Sequence, residues 1–120
     1  MTMEEFELAV EEAVRDIPKK FKRILEKENI KVLARECAPE AVTERYRGGV
    51  VFGMFIGAPY RPGGTFYPAE PTRIEIYKES FERVFSDDEV IRAHIKKTVI
   101  HEIAHYFGFG EDYLRKIGYG

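Results

Sequence analysis

The hydrophobic residues of this chain change their period twice, and those two changes restrict the folds open to it. From Thr2 to Leu25, the residues Phe6, Val10, Ala13, Ile17, Phe21 and Ile24 recur at helical spacing, so one helical face packs against something. Thr2 followed three residues later by Glu5 is a capping box that marks the start. Pro18 either kinks this helix or begins a second one. The period then drops to two. "NIKVLAR" alternates Ile30, Val32 and Ala34 with polar neighbours, and "GVVFGMFIG" puts Val50, Phe52, Met54 and Ile56 on one face. "TRIEIYK" sends Ile74 and Ile76 one way and Arg73, Glu75 and Tyr77 the other. Each of the three reads as a strand. Between the last two, "APYRPGGTFYPAEP" holds four of the six prolines and is a loop. After "YKESFERVF" the helical period returns, with Ser86 and Glu89 as a second capping box and a helix expected from Asp87 to about Phe107. Helices and strands are partly segregated, which predicts an α+β fold with helices on one face of a small sheet.

A chain of 120 residues suits a single domain, 1–120, with one core. Its 44% hydrophobic and 33% charged residues are ordinary for a globular protein and unlike a disordered one. A formal charge of −2 provides no global field to recruit nucleic acid or an anionic membrane. No apolar run approaches the ~18 residues of a spanning helix, and the acidic start "MTMEEFELAVEEAVRD" is unlike a signal peptide. The lone cysteine, Cys37, makes no internal disulfide and is expected to be a small buried hydrophobe. A cytoplasmic location follows as the default.

The chemistry lies in "HEIAHYFGFGEDYLRKIGYG". His101, Glu102 and His105 spell H-E-x-x-H, a known metalloprotease signature. Four residues along a helix advance ~400°, so His101 and His105 project from one face, ~6 Å apart along the axis, and both reach one ion. Glu102 lies ~100° away and flanks that ion without having to bind it. A zinc site that works on water needs three protein ligands and an open position. Gly108 is able to take the left-handed conformation that ends a helix and returns the chain toward the metal. Glu111 or Asp112 then supplies a third, anionic ligand.

These residues resemble the bacterial minimal-zincin family of zincin-like metallopeptidases. Its signature is H-E-x-x-H-x-x-G-x-x-D, within a phrase like "tvxHEiaHhfG", and this chain reads "KTVIHEIAHYFGFGED". The resemblance extends over the strand, loop and strand from about Gly49 to Lys78, roughly the C-terminal 70 residues. One departure stands out: the family's third acid is Asp, whereas Glu111 holds that position here and Asp112 follows. The resemblance implies an α+β zincin-like fold with the motif on a C-terminal helix. It also implies a Zn²⁺ ion on His101, His105 and Glu111, and a peptide or protein substrate. Glu102 is then the catalytic base. In zincins generally, substrate adds as an antiparallel strand along a sheet edge above the metal, and that analogy selects Val50–Ile56, with Gly53 and Gly57 leaving a face open. An alternative is a zincin-like module that binds peptide without cleaving it.

Other residues near the motif are assigned to packing. His94 lies two turns before His101, ~10 Å along the axis, too far to share a metal bound at ~2 Å. Of Tyr106, Tyr113 and Tyr119, Tyr113 is the best placed to stabilise an oxyanion, because it sits two residues beyond the presumed ligand.

Overall fold

The computed structural model describes residues 1–57 and 72–119. Among the described residues, six helices and three strands follow in the order α1 (Met3–Asp16), α2 (Lys19–Lys27), β1 (Lys31–Arg35), α3 (Glu40–Arg45), β2 (Gly53–Ile56), β3 (Arg73–Tyr77), α4 (Lys78–Val84), α5 (Asp88–Tyr106) and α6 (Glu111–Lys116). The α+β expectation holds. Among the described residues, no helix is long and apolar enough to cross a membrane. The proline-rich segment expected as a loop, residues 58–71, lies outside the described residues.

Local chemistry sets the element boundaries. Thr2 caps α1 reciprocally with Glu5: its hydroxyl accepts from the Glu5 amide at 3.1 Å, and its own amide donates to the Glu5 carboxylate at 2.9 Å. Pro18 ends one helix and begins the next. The ring pushes the preceding residue out of the α region, and Ile17 is extended at φ −67°, ψ 156°. Pro18 then serves as the N-cap residue of α2, where a missing N–H costs nothing. At α5 the sequence reading is corrected by one residue. Asp87, not Ser86, is the N-cap, and its carboxylate accepts from the Glu89 amide at 2.8 Å. A carboxylate at this position complements the helix dipole better than a neutral hydroxyl.

The sheet is mixed, with order β1-β3-β2. β1 runs parallel to β3, and β2 runs antiparallel to it. Among the described residues β3 is therefore central and β2 is an edge. Ile74 and Ile76 join Phe6 and Val10 of α1, Phe21 of α2, and Ile95, Val99 and Ile103 of α5 in one buried cluster. Glu75 and Tyr77 alternate to the other face and are buried as well. Two sequence expectations fail here. Cys37 is exposed, because it follows β1 in the turn leading to α3 and has no core to enter. Gly53 leaves no open face: a Cβ there would lie 2.8 Å from the Glu75 carbonyl oxygen and 3.1 Å from Thr98 Cγ2. Its lack of a side chain lets α5 approach the sheet. Gly57, at φ +138°, is likewise filled by its own chain, with a Cβ meeting Thr72 at 2.9 Å.

Candidate metal centre

Two consecutive helix endings of the same kind build the site. After α5, Gly108 takes φ +80°, the Phe109 amide donates to the Ala104 carbonyl at 2.8 Å, and the Gly108 amide to the His105 carbonyl at 3.4 Å. That is the Schellman arrangement, which returns the chain across the end of its own helix. Phe109 then packs edge-on against Phe21, with ring centroids 5.8 Å apart. The return starts α6 at Glu111, beside the last turn of α5. After α6 the pattern repeats: Gly118 takes φ +91°, the Tyr119 amide donates to Leu114 at 2.7 Å, and the Gly118 amide to Arg115 at 3.1 Å. The matching "FGF" and "IGY" phrases, a glycine between large apolar residues, are the sequence signal for both turns. Only the first was read from the sequence.

The first turn brings the Glu111 carboxylate 3.0 Å from His105 Nε2. The second brings the Tyr119 carbonyl 2.5 Å from His101 Nε2. Both imidazoles therefore donate through Nε2 here, since carboxylates and carbonyls only accept. The two rings stand nearly perpendicular, at 87°, with centroids 5.7 Å apart. One ligand atom each from His101, His105 and Glu111 lies within 4.8 Å of the others. Atoms bound to one zinc ion at ~2.0–2.2 Å stand no more than ~4.4 Å apart, so a cluster within 4.8 Å is near the scale of such a site. Two nitrogens and one carboxylate oxygen are a donor set suited to zinc, so the residues fit the ion. The hydrogen bond from His105 holds the Glu111 carboxyl below the usual carboxylate range, so it is anionic and ready to bind a cation.

Glu102 sits differently. It is half-buried, and the Phe55 backbone amide at the edge of β2 is near enough to favour its charged form. Burial pushes its carboxyl upward, against the weaker opposing pull of His105 and of that amide. The strand register explains the contact. Tyr77 donates to the Phe52 carbonyl at 2.9 Å, and Gly53 stands opposite Ile76. Antiparallel pairs alternate, so Met54 bonds inward to β3 while the backbone groups of Gly53 and Phe55 face outward. That outward amide was not legible in the sequence, which left positions 54 and 55 undistinguished.

The remaining candidates lie elsewhere. Asp112 pairs with Arg115 on α6 and is not part of the His101–His105–Glu111 group. His94 stacks on Phe85 at 4.2 Å, as expected of a packed histidine. Tyr113 does not face the donors: its hydroxyl accepts from Lys20 on α2 at 3.2 Å, and its ring stacks on Phe109. Tyr106 stacks on Phe55, with centroids 3.7 Å apart, and ties the end of α5 to the edge strand.

The family of zincin-like metallopeptidases matches the chain over residues 27–120, which covers both strands of the hairpin, α5 and the returning turns. No curated protein matches it.

Proposed function

Because this chain belongs to the zincin-like metallopeptidase family, we propose that it is a zinc-dependent peptidase with Glu102 as its general base. The observation that carries this reading is the convergence of His101, His105 and Glu111, with the Glu102 carboxylate one residue along the same helix. A zinc ion held by those three residues supplies Lewis acidity, polarising a substrate carbonyl and lowering the pKa of a water toward ~7. Glu102 takes the proton from the attacking water and delivers it to the departing amine, as a carboxylate raised by burial is suited to do.

The substrate backbone lies antiparallel along β2. The Gly53 amide and the outward carbonyls of Gly53 and Phe55 are its partners, and side pockets set its preferences. Phe55→Pro removes the outward amide beside Glu102, so it should lower hydrolysis more than peptide binding, which rests on the Gly53 amide and the outward carbonyls. Met54→Pro instead breaks a bond to β3 and costs stability. Purified protein should carry about one zinc per chain, lost in His101→Ala and in His105→Ala. Hydrolysis of a mixed peptide library, measured with and without a chelator, tests the activity itself. Zinc-loaded protein that binds peptides and cuts none would leave a binding module in place of an enzyme.

A further inference from the structure

Beside the donor cluster, a groove of ≈ 820 Å³ runs between β2, α5 and the end of α3. One wall is apolar, with Val51, Phe52 and Met54 among its residues, and the other is a stripe of α5. On that stripe His94, Lys97, Thr98, His101 and Glu102 line the groove at the i, i+3, i+4, i+7, i+8 spacing of one helix face. Lys97 stands one turn before His101, ~6 Å along the axis. Arg45, at the end of α3, lines the same groove together with Tyr46. Among the described lining residues Glu102 is the sole acid, and it belongs to the catalytic end. Among the described residues no ion pair joins Lys97 or Arg45 to an acid. Two cations thus line an open groove with no ion pair to an acid among the described residues.

Resting on the peptidase reading above, we infer that this groove selects peptides carrying an acidic side chain just beyond the cut bond, received by Lys97 and Arg45. The side follows from chain direction. β2 runs the same way as α5, since Gly53 lies against Thr98 while Phe55 meets Glu102 and Tyr106. A peptide antiparallel to β2 therefore sends its residues C-terminal to the cut from Glu102 toward Lys97. At ~3.3 Å per strand residue, the ~6 Å from His101 to Lys97 is covered by the first or second of them. Charge complementarity of this kind fixes register and excludes wrong partners more than it adds affinity.

The test reads binding without turnover. Fluorescein-labelled alanine–leucine octapeptides, with one glutamate, glutamine or lysine walked along the chain, are titrated by anisotropy into the zinc-loaded Glu102→Gln protein. Glutamate should bind about fivefold tighter than glutamine at one or two adjacent positions, and lysine weaker than both. The preference should flatten in 0.5 M salt as screening shortens the reach of each charge. Lys97→Gln should reduce it, Lys97→Glu should invert it toward lysine, and Arg45→Gln provides a second, surface-exposed variant. Equal binding of the three series, no binding, or a preference unchanged in both neutral variants overturns the inference. Parent protein that cuts peptides with no acidic preference keeps the peptidase and removes this groove assignment. An acidic preference in binding without cleavage by zinc-loaded parent keeps the groove assignment and removes the catalytic reading.

Discussion

Glu75 at the centre of the sheet and Glu102 at its edge are the same residue under the same pressure, with opposite outcomes. Burial raises both carboxyls. At Glu75 that push is outweighed by hydrogen bonds from Arg73 at 3.0 Å, Arg35 at 3.3 Å and the Tyr77 hydroxyl at 3.2 Å, and the carboxyl ends below the usual range. At Glu102 the opposing influences are His105 and one backbone amide, and the carboxyl ends above it. A buried acid with three donors is a structural anion. One with a single amide keeps lone pairs available for a proton. The difference comes with the neighbours: three hydrogen-bond donors at Glu75, but His105 and one backbone amide at Glu102.

The comparison is tested most severely by the same isosteric change at both positions. Glu102→Gln should lower kcat/KM by about 10³-fold, the usual scale for removing a general base, while the protein keeps its zinc and its fold. Metal analysis and thermal melting of the same sample check both halves. A variant as active as the parent would remove Glu102 from proton transfer and leave the contrast without functional content.

Glu75→Gln should do the reverse, destabilising by about 2 kcal/mol with zinc affinity unchanged. Two guanidiniums and a buried hydroxyl lose their shared anion, a loss reduced by the exposure of Arg35, whose side chain is 51% accessible. The pH dependence has a fixed sign. A carboxyl lower in the folded state than in the unfolded chain contributes stability above the unfolded value and loses it as pH falls through the folded one. Urea midpoints of the parent should therefore fall below about pH 4.5, the ordinary glutamate value, and the Glu75→Gln midpoints should fall less steeply there. Parallel curves would show that Glu75 is not the charged anchor of the sheet.

These two glutamates also mark what the sequence discloses. Glu102 was legible because its role is tied to helical spacing: an H-E-x-x-H phrase places three side chains relative to one another without any knowledge of the fold. Glu75 was visible only as the polar side of an alternating strand. Its partners come from β1, forty residues away, and from its own strand, and that pairing exists only once β1 lies parallel to β3. Gly53 was misread for the same reason, since an opening in a strand and a close helix contact look identical until the helix is placed. α3 and α6, at six residues each, are too short for periodicity to reveal them. Cys37 was misplaced because average burial of cysteine says nothing about a turn.

A smaller effect is expected where scaffold and site meet. Gly53→Ala puts a methyl 2.8 Å from the Glu75 carbonyl oxygen and 2.9 Å from Ile76 Cδ1. Backbone cannot give way as a side-chain tip can, so the change should cost about 1–2 kcal/mol by overpacking. If α5 also shifts outward to relieve the 3.1 Å contact with Thr98 Cγ2, the Phe55 amide leaves Glu102 and kcat falls as well. Unchanged stability would mean that this contact does not set the distance between sheet and helix.

The smallest effect is predicted at Asp112, and it is informative because Asp112 is the neighbour of a proposed ligand. Both acids open α6, where each complements the helix dipole. Their side chains diverge, however: Glu111 turns to His105, while Asp112 is 95% exposed and pairs with Arg115 on its own helix. An exposed pair of this kind is worth ~0.2–1 kcal/mol. Asp112→Ala should therefore shift the melting midpoint by about 1 °C and leave zinc affinity within about twofold of the parent. Glu111→Ala should weaken zinc binding by more than about tenfold, since the third of three ligands is gone. Competition titration against a chromophoric chelator ranks the two directly. The reverse order would make Asp112 the ligand and reduce Glu111 to an orienting partner of His105. The Schellman return at Gly108 would then have to swing α6 by one residue when the ion binds.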